Sequence, residues 1–123
     1  MKVFGVSPSS GAERCLYVEP GGDGIVLAIR EQVAGRWKEE ERERTRVLVR
    51  QDDLLPAITD PAPGGTTVGG TSPVHNWKML LRVEVRRNEV WLSARPVVGL
   101  VDEDVAVGLD DFQDALEEAI GQT

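Results

Sequence analysis

Two pairs of adjacent aspartates, Asp52-Asp53 and Asp110-Asp111, come closest to a catalytic constellation. Paired carboxylates can relay a proton or hold a magnesium ion. Each pair, however, directly precedes a stretch of helical apolar spacing, where a carboxylate caps free amides and opposes the helix dipole. Capping accounts for both pairs. His75 is the sole histidine, leads a strand-like stretch beside a flexible segment and has no Gly-x-Ser-x-Gly elbow to serve. It reads as an ordinary strand residue. Cys15 is the single cysteine, which excludes a disulfide framework and a cysteine-based zinc cage; it reads as partly buried and inert. The run Glu39-Glu40-Glu41-Arg42-Glu43-Arg44 reads as a solvated hairpin arm or helical turn. No catalytic residue, metal ligand or cofactor is therefore expected, and the chain reads as a non-enzyme.

Binding chemistry is a different matter. Tyr17, Arg30, Arg82, Arg86, Trp91 and Arg95 alternate with apolar residues in strand-like segments. Alternation sends them to the face opposite the core. Aromatic rings interleaved with guanidinium groups can stack unpaired bases and follow a phosphate backbone. The same composition suits a protein interface equally well, with Trp91 packed on a partner and the arginines paired to Glu84 and Glu89.

The elements that must position these residues form two similar halves. Val47-x-Val49, Asp52-Asp53 and Leu54-x-x-Ala57-Ile58 recur 58 residues later as Val105-x-Val107, Asp110-Asp111 and Phe112-x-x-Ala115-Leu116. Upstream, Leu16 to Glu19 and Ile25 to Arg30 recur 65 residues later, in the same order. This order of matches reads as a tandem repeat of strands followed by a helix. The first repeat covers residues 1–59 and the second residues 74–123. Between them, residues 60–73 carry three prolines and four glycines, the make-up of a flexible linker in which neither helix nor strand settles.

Within the second repeat, Arg87-Asn88 reads as a two-residue turn, opposing Val85 to Val90, Val83 to Leu92 and Leu81 to Ala94. In the first, Pro20-Gly21-Gly22-Asp23 supplies the turn, and Lys2 to Val6 opens the sheet. Phe112, Ala115, Leu116, Ala119 and Ile120 make one helical stripe, capped by Asp110 and stopped by Gly121, while Asp52 caps the first-repeat helix. The expected fold class is α+β, a single domain of two strand–helix repeats, oligomeric through sheet edges or helices.

The net charge of −7 opposes a uniform phosphate-binding surface. Yet 12 of the 21 acidic residues fall in three short segments, Glu39 to Glu43, Asp102 to Asp104 and Asp110 to Glu118. The remainder is net basic and leaves a binding face open to anions. No apolar run approaches the roughly 18 residues of a membrane span, and Met1 to Phe4 is too short a run for a signal peptide. A soluble, cytoplasmic protein with no membrane partner is expected.

Ile29-Arg30-Glu31 in a middle strand, followed by a charged turn and Val47-Leu48-Val49-Arg50-Gln51-Asp52-Asp53-Leu54, resembles the single-stranded nucleic-acid-binding transcriptional regulators of the positive-cofactor-four and Whirly type. The resemblance covers about residues 15–58 and 79–120, two units in tandem as in the Whirly branch. It implies a Whirly-like α+β fold and non-catalytic binding of single-stranded DNA or RNA in transcriptional regulation. Tyr17, Arg30, Arg82, Arg86, Trp91 and Arg95 would carry that binding. The alternative is an acidic protein-interaction module of the same fold that binds no nucleic acid.

Overall fold

Strand-forming alternation fills most of the chain, and the computed structural model, which describes residues 1–121 (backbone only at Glu39), places eight strands and two helices in it. In order they are β1 (Lys2–Val6), β2 (Glu13–Gly21), β3 (Gly24–Ala34), β4 (Glu39–Arg50), α1 (Gln51–Thr59), β5 (Thr66–Thr71), β6 (Lys78–Arg86), β7 (Glu89–Pro96), β8 (Glu103–Gly108) and α2 (Leu109–Gly121). Residues 122–123, the end of the expected second repeat, lie outside the described residues. Four strands and a helix thus follow one another twice.

The turns form where the sequence asks for them. Arg87-Asn88 joins β6 to β7 with Val85 opposite Val90, Val83 opposite Leu92 and Leu81 opposite Ala94. Gly22, at φ 64°, turns β2 into β3, a backbone conformation that suits glycine. Both expected aspartate caps are displaced. The residue before α1 is Arg50, with no side-chain cap, and Asp52 and Asp53 sit inside the first turn. Asp110 and Asp111 likewise lie inside the first turn of α2. There they oppose the helix dipole rather than accept a capping bond.

The sheets close on each other, and this overturns the α+β, Whirly-like arrangement. All eight strands form one closed antiparallel barrel in chain order. The residues read as a flexible linker supply a strand, since 66–71 form β5 and pair with β6 along their length. Two short seams complete the ring. β4 meets β5 through Leu48 opposite Thr71 and Val49 opposite Gly70. β1 meets β8 through Gly5 opposite Val107 and Val6 opposite Ala106.

Glycine makes both seams fit. A Cβ on Gly70 would stand 2.7 Å from the Leu48 carbonyl oxygen, and one on Gly5 would collide with the Ala106 carbonyl. An unpaired edge is a liability that closure removes. Sheet edges of this kind were also the expected route to oligomers, and the seams use part of them within one chain.

Alternation then points Leu16, Val18, Ile25, Leu27, Val83 and Leu92 into the barrel, where all are buried. Because β4 and β8 run towards the same end, both helices close that end. Leu54, Ala57 and Ile58 of α1 and Phe112, Ala115, Leu116 and Ala119 of α2 complete the core. The opposite end is framed by the 7–12, 35–38, 72–77 and 97–102 connections and has no helix.

Close approach at the seams gives a direct test. Gly5→Ala and Gly70→Ala should each destabilise the fold by about 1–3 kcal/mol, the usual range for forcing an extra methyl into a packed site. Gly69→Ala, whose Cβ would meet nothing within 4 Å, should change stability by no more than about 0.5 kcal/mol. Urea denaturation of the three variants measures the difference.

Candidate functional site

The ring order separates the six residues expected to share a binding face. Tyr17 and Arg30 lie on the outside of β2 and β3, whereas Arg82, Arg86, Trp91 and Arg95 lie on the outside of β6 and β7. In a closed ring of eight strands these pairs stand on opposite sides. Alternation assigns an outward face but carries no information about which outward faces are neighbours.

Most of these side chains already have partners. Tyr17 donates from its hydroxyl to Glu41 at 2.5 Å, and the Arg30 guanidinium lies 4.7 Å from the centre of the tyrosine ring. Lys2 pairs with the same Glu41. Hydrogen bonds from Lys2 and Tyr17 hold the Glu41 carboxyl below its ordinary pKa, and the bond to Glu41 holds the Lys2 ammonium above its own. Burial, and then the bond to Glu41, raise the Tyr17 hydroxyl.

Across the barrel, Arg86 lies 3.5 Å from the centre of the Trp91 ring, and the indole N–H donates to Glu89 at 2.9 Å. Arg82 donates to the Gly64 carbonyl. Arg95 donates to the carbonyls of Gly99 at 3.2 Å and Val97 at 3.5 Å, and pairs with Asp102 at 3.5 Å. Arg95 therefore organises the 97–102 loop.

The helix-free end brings together residues that the sequence reading left apart. Arg14 shares the inward face of β2 with Leu16 and Val18 and is only 5% exposed. A buried guanidinium needs compensation. It finds Glu31 at 3.1 Å, Glu103 at 3.2 Å, and the Asp104 carbonyl at 2.7 Å. Arg44 bonds Glu103 at 3.1 Å, and that bond raises its pKa, so it stays charged. Ser7 and Ser9 also donate to Asp104. This network ties β2, β3, β4 and β8 across the mouth. The legible signal was an arginine in phase with Leu16 and Val18. The carboxylates that make it tolerable are 17 to 90 residues away.

Beside the network lies a cleft of about 300 Å³. Val74, Trp77, Met79, Ala94, Pro96 and Val101 form its apolar wall. Glu43, Arg44, Arg46 and Glu103 form a charged one. His75 stands in the connecting loop rather than in a strand, its ring stacked on Trp77 at 4.2 Å. Buried Ser72 braces this loop: its hydroxyl accepts from the His75 amide at 3.0 Å, and its backbone bonds the amide of Asn76 and the carbonyl of Trp77.

Next to the cleft, the loop held by Arg95 presents Val98, 89% exposed, and Leu100, 99% exposed. Val97 and Val101 are exposed as well. A larger, shallower groove of about 880 Å³ crosses the outside of the β4–β5 seam, over Gly69, Gly70, Leu48 and Leu80, and shares Met79 with the cleft. Among the described residues no group of three or more His, Cys, Asp or Glu side chains is placed to hold a metal ion. Cys15 is buried, with the Gln32 amide 3.7 Å from its sulfur.

Compared with protein-family models, curated proteins and solved structures, the chain matches none. The resemblance of residues 15–58 and 79–120 to the Whirly type thus rests on those residues alone, and the fold it implied is not the fold formed. Among the described residues no helix is long and apolar enough to cross a membrane.

The Glu41 cluster predicts a pH dependence of definite sign. A carboxyl whose pKa is lowered by folding contributes stability above its unfolded pKa, and loses it as pH falls through the folded value. Glu41→Gln should therefore be less stable than the parent chain at neutral pH. The difference should shrink as pH drops through and below the ordinary carboxylate range. Denaturation midpoints of the two proteins at neutral and acid pH measure it.

Proposed function

We propose that this chain is a non-catalytic protein-interaction module that receives its partner at the helix-free mouth of the barrel. One observation carries the reading. Arg95 holds the 97–102 loop by two carbonyls and a carboxylate, so that Val98 and Leu100 project into water beside the apolar wall of the cleft. Leaving aliphatic side chains exposed on a braced loop forgoes the stabilisation that their burial would bring. Apolar surface concentrated in this way on a small domain is characteristic of an interaction site.

Charge placement supports the same end. The two helices carry seven acidic side chains and no basic one, which equals the net charge of the whole chain. The barrel and its loops are therefore neutral overall. The acidic helix end favours solubility and repels phosphate polymers, while the mouth is free to make apolar contacts. Cys15, buried and unpaired, suits a reducing compartment, and cytoplasmic residence is part of the proposal.

A photo-crosslinking amino acid placed at Leu100 tests this in the native cell. It should yield a discrete polypeptide adduct, and the same group at Glu117 on the exposed face of α2 should not. No adduct at the mouth, or the same adducts from both positions, would remove the reading.

Binding of single-stranded nucleic acid is the second reading, and one observation favours it: Arg82, Arg86 and Trp91 still share the outside of β6 and β7. Against it, Arg86 covers one face of the indole, Glu84 and Glu89 hold Arg86 and the indole N–H, and the Gly64 carbonyl holds Arg82. Fluorescence anisotropy of a labelled single-stranded oligonucleotide separates the two. This second reading requires micromolar or tighter binding that weakens with salt and is lost in Trp91→Ala. The mouth reading requires none.

A further inference from the structure

One strand of the barrel is left open where the cleft begins. β4 pairs with β3 from Glu39 to Arg50, but with β5 only at Leu48 and Val49. From Glu40 to Val47, the side of β4 turned away from β3 has no strand beside it among the described residues. Glu43, Arg44, Thr45 and Arg46 of this edge form one lip of the cleft. An open edge presents a row of backbone donors and acceptors, to which an extended chain can add as another strand.

The side chains on this edge decide what kind of chain can add. Thr45 stands opposite Ile29 and faces the barrel interior, whereas Glu43 stands opposite Arg30 and faces outward. Arg44 is the extra residue of a bulge between them. Arg42 therefore shares the inward face, and Glu41 the outward one with Glu43. Two copies of the chain joined edge to edge by a two-fold axis normal to the sheet keep their faces on the same sides. Only residues of one face can then meet.

Symmetric pairing centred on Arg42 would set Arg42 against Arg42, and pairing centred on Glu43 would set Glu43 against Glu43 with Arg42 against Arg44. Like charges directly opposite each other destabilise a strand pair. In those two registers a second copy is repelled, whereas a partner with an acidic residue opposite Arg42 and a basic one opposite Glu43 is attracted at the same positions.

We infer that the β4 edge from Glu40 to Val47 receives an extended, antiparallel segment of a different protein as a ninth strand. The segment places an apolar side chain opposite Thr45, where the cleft offers Met79, Ala94 and Trp77. It places an acidic side chain opposite Arg42, which is exposed, and a basic one opposite Glu43. The bulge at Arg44 keeps this pattern in phase with the alternation of a regular strand. The inference rests on the reading of the mouth as a protein-binding site and names the form its partner takes.

The experiment selects a random heptapeptide display library on the full chain. An enriched synthetic peptide is then followed by amide chemical shifts and hydrogen exchange. Enriched peptides should carry the acidic, basic and apolar residues in that alternation. Among the amides of residues 42–47, those not bonded to β3 should exchange at least tenfold more slowly with peptide bound. Arg42→Glu should weaken the same peptides at least tenfold and turn the selected residue opposite it from acidic to basic.

Peptides that perturb only Trp77 and the 97–101 loop, with exchange in β4 unchanged, overturn strand addition and leave the mouth reading standing. No enriched peptide that binds at all brings down both. Unchanged affinity and selection with Arg42→Glu overturn the assigned register.

Discussion

Closure of the barrel at two narrow seams is the constraint on which the rest of the structure depends. Each seam is two residue pairs long, and each places a glycine where an added side chain would meet a carbonyl of the neighbouring strand: Gly5 between β1 and β8, Gly70 between β4 and β5. A side chain at either position would press on a carbonyl of the neighbouring strand and strain that seam, and a ring opened at one seam is an eight-stranded sheet with two exposed edges. With the seams made, both helices fall at one end, and their apolar stripes close the core there. The other end must be closed without a helix.

That other end is closed by charge instead of apolar packing. Arg14, almost fully buried, is compensated by carboxylates from β3 and β8, while Arg44 links the same two strands from β4. An ion network of this kind stabilises the fold less than apolar packing would, because desolvating the charges offsets most of their attraction. Removing one partner is another matter, since a buried charge left alone costs about 3–5 kcal/mol. The network thus holds the mouth in one geometry. It leaves beside it a cleft, a braced apolar loop and the open part of β4, all at the end farthest from the acidic helices. The separation of seven negative charges from the exposed apolar loop is a consequence of where the helices had to go.

Local order was legible in the sequence wherever neighbouring residues determine it. The β6–β7 register follows from apolar alternation on either side of Arg87-Asn88, and the stripe of α2 follows from Phe112, Ala115, Leu116 and Ala119. The 60–73 segment misled because prolines and glycines there argue for flexibility by composition. Gly70 in fact lets β5 lie against β4, a role visible only once Leu48 is beside it. The expected binding face is divided between two sides of the barrel for a related reason. Tyr17 and Trp91 both point outward, as alternation requires, but around a closed ring two outward residues can be on opposite sides.

By itself, then, the sequence determined the strands, the tight turns, the amphipathic helices, and the concentration of acid in the segment that became α2. These depend on contacts within a few residues, where periodicity and turn chemistry act directly. Tertiary structure alone decided that the sheet closes, that Arg14 is buried, and that Arg95 braces a loop. It also decided that residues 43–46, 72–77 and 94–103 form one cleft. Each of these needs groups distant in the chain to meet, as Arg14 meets Asp104 across 90 residues. Such meetings depend on how whole strands pack, which no local pattern encodes.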